Sequence, residues 1–109
     1  MNNMTAFQRD ILYVIQSKDE PNGLDIKSEL EEYYEDDVNH GRLYPNLDGL
    51  ADLGLIIKGT QDKRTNKYEL SERGQQKLKT RLEWELYHVD EMIEQPEAIT
   101  IETTHAQSD

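Results

Sequence analysis

Residues 40 to 56, HGRLYPNLDGLADLGLI, change hydrophobic period in mid-run, and that change most constrains the fold. Leu43, Leu47, Leu50 and Leu53 recur at spacings of four and three, one apolar stripe of an α-helix. Asn39 stands before the run as a plausible N-cap. Pro45 lies near the first turn or slightly beyond, where its missing N–H does least harm. Gly54 suits the left-handed position that ends a helix. Directly afterwards LIIKG and KYELS read as two short strands, with TQDKRTN as the polar tip between them.

The flanking segments supply the remaining helices. TAFQ presents Thr5 and Gln8 as a capping box, and Phe7, Ile11, Val14 and Ile15 form the inward stripe of a first helix. Pro21 and Gly23 in KDEPNG close it. Asp25 is expected to cap a second helix that buries Ile26, Leu30 and Tyr33 or Tyr34 and ends in YYEDD. Ser71 caps a fourth helix, expected to run to about Ile93 before Pro96 stops it. The order is helix, helix, helix, strand, strand, long helix. The predicted fold is mainly α with a small β-hairpin wing, a winged helix-turn-helix followed by a long C-terminal helix. No internal repeat is visible, and the final segment is polar apart from Ile99 and Ile101.

Charge sets a puzzle for such a fold. The chain carries 23 acidic and 12 basic residues, a net −11, and only seven of the cations are lysine. An acidic excess of this size argues for a basic partner or, with so few lysines, for adaptation to very high salt. The distribution answers part of the puzzle. Residues 39 to 68 hold Arg42, Lys58, Lys63, Arg64 and Lys67 against Asp48, Asp52 and Asp62, a net +2, so the rest of the chain carries −13. A basic footprint on an acidic body is compatible with nucleic-acid contact, because the contact is local. At molar salt the Debye length is only ~3 Å, so affinity must come from short-range hydrogen bonds, apolar contacts and shape.

Other classes fall away. Without cysteine there is no disulfide, thiolate metal site or cysteine nucleophile. The amino terminus lacks the pattern of a signal peptide, and no run of eighteen apolar residues exists, so a soluble cytoplasmic protein is expected. His40, His88 and His105 have no metal-ligand spacing, and Glu85, His88 and Glu91 are better read as solvated than as a metal-binding helix face. No phosphate loop or nucleophile elbow appears, so no enzyme, cofactor or metal is expected.

The run GRLYPNLDGLADLGLI followed by KYELSERG resembles the PadR family of transcriptional regulators. Members of that family carry Gly-Thr-Leu-Tyr-Pro-x-Leu-x-x-Leu-x-x-x-Gly-Leu-Ile, then Tyr-x-Leu-Thr-x-x-Gly. Gly41, Leu43, Tyr44, Pro45, Leu47, Leu50, Gly54, Leu55 and Ile56 match the first part. Tyr68, Leu70 and Gly74 match the second, with Ser71 in the threonine place. PNGLDI is similar to the family's lead into its second helix, with Leu24 replacing a tyrosine, and Arg42 departs from the usual small residue. The resemblance covers roughly residues 7 to 93 and is to a short, halophilic archaeal type. It implies a dimeric winged-helix repressor, responsive in some members to a small-molecule effector.

Expected roles follow for particular residues. Residues 1–70 would form the DNA-binding domain, 71–95 the dimerisation helix and 96–109 an acidic polar tail. Arg42, early on the third helix, is placed to read a base, the alternative being an ion pair with Asp36 or Asp37. Asn39, His40 and Asn46 could reach bases or phosphates, although capping competes for Asn39 and plain solvent exposure for His40. Tyr44 would support the helix or touch phosphate. Lys58, Lys63, Arg64 and Lys67 belong to the wing, and Lys27 with Ser28 to the start of the second helix, where backbone N–H groups can hold a phosphate. For Lys63 and Arg64 the rival is an ordinary solvated turn.

From Ser71 to Ile93 is about 34 Å of helix. Leu82, Leu86, Val89 and Ile93, with Trp84 and Tyr87 on another side, would make the contact between two copies. Such a homodimer would set two recognition helices about 34 Å apart on a pseudo-palindromic site in double-stranded DNA. The rival expectation is a winged-helix protein-interaction module that never touches DNA.

Overall fold

The computed structural model describes residues 4–93, the side chain of Ile93 excepted. It comprises α1 (Ala6–Ser17), α2 (Gly23–Tyr34), α3 (His40–Asp52), β1 (Ile56–Thr60), β2 (Asn66–Leu70), α4 (Glu72–His88) and α5 (Asp90–Ile93). The chain divides into two compact units, the boundary falling within α4 after Leu78. The first unit is a winged helix.

Its helices start where side chains satisfy their free N–H groups. Thr5 accepts from the Gln8 N–H at 3.1 Å, and the Gln8 side chain accepts from the Thr5 N–H at 3.1 Å, the expected reciprocal pair. For α2 the cap is Asn22, not Asp25. Asn22 accepts from the Asp25 N–H at 2.8 Å, and the Asp25 carboxylate accepts from the Asn22 N–H at 3.0 Å. The shift has a tertiary cause. The Pro21 carbonyl accepts from the Tyr68 N–H at 2.9 Å and Asn22 makes an isolated antiparallel bridge with Lys67, so this segment is held extended against β2 and must give way to helix at once. Of the two tyrosines ending α2, Tyr34 is half-buried and donates to Asp10 at 2.5 Å, whereas Tyr33 is exposed.

Asn39 caps α3 by accepting from the Gly41 N–H at 2.6 Å. Leu43, Leu47 and Leu50 are fully buried, but Leu53 is not part of the stripe. It is the C-cap, half-exposed, because the chain leaves the helix there and Gly54 turns it with φ of +75°. Leu55 takes the vacated place in the core. β1 and β2 pair antiparallel, Ile56 opposite Leu70 and Lys58 opposite Tyr68. On α1, Leu12 joins Phe7, Ile11 and Ile15 in the core while Val14 stays half-buried, because α1 packs against α2, α3 and β2 together.

The spacing from Gly54 to Gly74 has a geometric reason. Ser71 Oγ donates to the Gly54 carbonyl at 2.6 Å and accepts from the Gly74 N–H at 3.0 Å, while the Ser71 N–H donates to the Leu55 carbonyl at 3.1 Å. A Cβ on Gly74 would lie 2.0 Å from that same carbonyl oxygen, so no side chain fits. The expected single helix to Ile93 is interrupted. At Val89 the N–H is shared between the Glu85 and Leu86 carbonyls, a tightened last turn, and Asp90 opens the short α5. The tail expected at 96–109 lies outside the described residues.

Candidate nucleic-acid interface

The outward positions of α3 are His40, Gly41, Arg42, Pro45, Asp48 and Asp52. Arg42 is their one cation, and it does not pair with Asp36 or Asp37. Its guanidinium lies over the Phe7 ring, 3.8 Å from the centroid, and its N–H groups make no hydrogen bond or ion pair among the described residues. A guanidinium flat on a ring keeps its edge, which carries the donors, turned away from the ring. Asn46, half-buried, donates to the Arg42 carbonyl at 2.7 Å and accepts from Gln8 Nε2 at 3.1 Å. His40 stacks on Tyr44, rings 5.6 Å apart and 8° from parallel. The Tyr44 hydroxyl presses on Gly23, where an added Cβ would lie 2.4 Å from it. Tyr44 therefore holds α3 to the start of α2.

The turn between α2 and α3 is closed by a carboxylate. Glu31 accepts from Lys27 Nζ at 2.7 Å and from the Val38 N–H at 2.8 Å, and these two donors hold its carboxyl below the ordinary glutamate value. Lys27 is thereby engaged, while its neighbour Ser28 is exposed. The same device closes the wing. Asp62 accepts from the Arg64 and Thr65 N–H groups at 2.9 Å each, and the Arg64 bond leads in holding its carboxyl below the ordinary aspartate value.

The wing's cations fall into two sorts. Lys58 pairs with Asp48 at 3.4 Å and Lys67 with Glu20 at 3.1 Å. Lys63 and Arg64, at the exposed tip, have no side-chain hydrogen bond or ion pair among the described residues. A cleft of about 180 Å³ opens between wing and helices, lined in part by Asn22, Gly23, Tyr44, Arg64 and Asn66. At its edge burial raises the Tyr68 phenol above its ordinary value.

The structure thus places His40, Arg42, Tyr44 and Asn46 on α3 with Asn39 as its cap, Lys58, Lys63, Arg64 and Lys67 on the wing, and Lys27 and Ser28 on α2. Phe7 and Gln8 escape a sequence reading of this surface. One reads as core and the other as cap, and only tertiary packing reveals that both also touch α3.

The second unit carries the residues expected to join two copies. Leu82, Trp84, Leu86, Tyr87 and Val89 are all more than one-third exposed, as is Met92. Arg81 lies over the Trp84 ring at 4.5 Å and His88 packs on the same ring at 4.2 Å. The side chain of Ile93 lies outside the described residues. Among the described residues no three His, Asp or Glu side chains gather to hold a metal ion, and no helix is long and apolar enough to cross a membrane.

A family model described as "Transcriptional regulator PadR-like family" matches residues 11–80. Among solved structures, RosR of H. salinarum, grown from NaBr, is 45% identical with a TM-score of 0.85, covering 95% of this chain and 96% of that one. A complex, hsRosR-S1, is also 45% identical, with a TM-score of 0.86 over 97% of this chain and 96% of that chain. PadR of Bacillus subtilis in complex with operator DNA is 27% identical, TM-score 0.63, covering 72% of this chain and 47% of that chain. Comparison with curated proteins returned no match.

Proposed function

This chain belongs to the PadR-like family of transcriptional regulators, and on that premise we propose that it binds double-stranded DNA sequence-specifically as a homodimer. In this reading α3 enters the major groove, the wing lies on the backbone or minor groove, and occupancy of a pseudo-palindromic operator represses transcription. The observation that carries it is Arg42: a guanidinium on the outer face of α3, ordered by Phe7 and with its donors unspent. A bidentate arginine–guanine pair is the commonest specific contact in that groove. The relative solved with operator DNA, B. subtilis PadR, supports DNA as the partner.

The acidic body and the paired lysines favour function at high salt. Where ions screen long-range attraction, the short-range contacts of Arg42, Asn46 and Tyr44 carry the affinity. The exposed Leu82, Trp84, Leu86 and Tyr87 support a two-fold contact between copies. One observation favours a protein-interaction module instead: Lys27, Lys58 and Lys67 all face carboxylates of the same chain.

Selection of bound duplexes from a random pool, at low and at molar salt, separates the two. The expected result is two inverted half-sites about one helical turn apart. Trp84→Glu with Tyr87→Glu is expected to sediment as a monomer and to lose the paired site. A pool left unenriched at both salt concentrations overturns DNA binding, and a wild-type monomer at micromolar concentration overturns the dimer.

A further inference from the structure

Four groups form one hydrogen-bonded relay from α1 to α3. The Thr5 N–H donates to Gln8 Oε1 at 3.1 Å, Gln8 Nε2 donates to Asn46 Oδ1 at 3.1 Å, and Asn46 Nδ2 donates to the Arg42 carbonyl at 2.7 Å. Both ends are backbone groups of fixed polarity, since an N–H only donates and a carbonyl only accepts. Each side-chain amide between them therefore has a single orientation. Gln8 must turn its oxygen to Thr5 and its nitrogen to α3, and Asn46 must turn its oxygen to Gln8 and its nitrogen to Arg42. By inventory Asn46 retains one N–H and one oxygen lone pair. Phe7, beside Gln8 in the same turn, is the ring under Arg42. One turn of α1 thus orders two side chains of α3.

We propose that Gln8 is a positioning residue for base selectivity, acting through Asn46; this rests on the reading of α3 as the groove-facing helix. Each base pair presents its own order of donors and acceptors in the major groove. An asparagine free to flip satisfies either order, whereas one held in a single flip discriminates between them. Gln8 holds the flip without itself meeting the base.

Gln8→Glu isolates this role. A glutamate keeps the acceptor that the capping box needs, so α1 retains its start. It has no N–H for Asn46 Oδ1, so the Asn46 amide must turn its nitrogen to position 8 and abandon the Arg42 carbonyl. Selection from random duplexes with wild type, Asn46→Ala and Gln8→Glu is the experiment, with thermal unfolding alongside. Asn46→Ala is expected to relax one operator position in each half-site. Gln8→Glu is expected to change preference at that same position, roughly tenfold, with the remaining positions and the melting temperature held. Unaltered preferences in Gln8→Glu, while Asn46→Ala relaxes a position, overturn the role of Gln8 and leave the reading of α3 standing. Unaltered preferences in Asn46→Ala overturn it too, because Asn46 then reads nothing. A wild type that enriches no sequence takes both down together.

Discussion

α3 and the wing tip both present cations to solvent, but they hold them differently. Arg42 lies on a ring, Asn46 is tied at both ends of its amide and Tyr44 is wedged on Gly23, so α3 offers side chains in fixed poses. At the wing tip the backbone is fixed by Asp62, while Lys63 and Arg64 have no side-chain partner among the described residues. Fixed poses suit base edges, where geometry decides between sequences. Free cations on an ordered turn suit phosphates, which are the same at every base pair. On the proposed DNA-binding reading, the difference assigns selectivity to α3 and sequence-blind attraction to the wing.

The largest expected effect is on α3. Arg42→Ala should remove about 1–3 kcal/mol of discrimination at one position of each half-site while the other positions hold, as read by competition binding with operator variants. A loss spread evenly over all sequences would make Arg42 a phosphate contact and erase the contrast with the wing.

The wing comes second. Lys63→Glu with Arg64→Glu should weaken binding to every sequence alike, roughly tenfold at ~0.1 M salt, and reduce the steepness of the log–log salt dependence by about 0.9 for each phosphate no longer neutralised. Anisotropy titrations at several salt concentrations measure both quantities. Near molar salt the double variant should approach wild type, and a changed base preference would break the comparison.

The smallest effect separates the two turns by pH. Glu31 and Asp62 are both held below their ordinary values by donors, so each contributes fully at neutral pH and that contribution is lost as pH falls through the lowered folded value. Glu31→Gln should flatten the fall of the melting temperature between about pH 6 and pH 3, because its turn joins packed helices. Asp62→Asn should flatten that curve less and act mainly by speeding amide exchange at residues 64 and 65, because an exposed tip opens locally. Equal effects of the two on global melting would mean the wing tip is as integrated as the turn.

Much of this was legible in the sequence, for physical reasons that can be named. The winged-helix order could be read from the Leu43–Leu47–Leu50 stripe, Gly54 and the two short strands, since local period and a left-handed glycine need no tertiary partner. The Thr5–Gln8 box, also local, was equally plain. What escaped depends on neighbours far along the chain. Asp25 is as good a cap as Asn22 until β2 pairs with Pro21–Asn22 and fixes where the helix starts. Leu53 continues the stripe by spacing, yet the helix has already ended there. The stop at Val89 left no mark in the apolar stripe Leu82, Leu86, Val89 and Ile93, which runs straight through it. Of the candidate site, residue types on α3 and the wing were visible, but not that Lys58 and Lys67 face carboxylates, nor that Phe7 and Gln8 act from another helix.

The interior of the first unit has a consequence for how such a protein meets changing surroundings. Its buried side chains are aliphatic or aromatic, the Tyr68 phenol being the most polar, and among the described residues no charged group is buried. Dissolved ions have no purchase on such an interior. Strongly hydrated salts reinforce it through the solvent, and cooling weakens it, but neither acts through any particular residue. Pairing with particular ions therefore acts on the outside, where the carboxylates and the exposed cations sit. On the proposed reading, the packing of the core and the grip on DNA rest on largely different side chains. A lineage moving between brine and fresh water could retune one by exchanging surface charges and leave the packing of the other untouched.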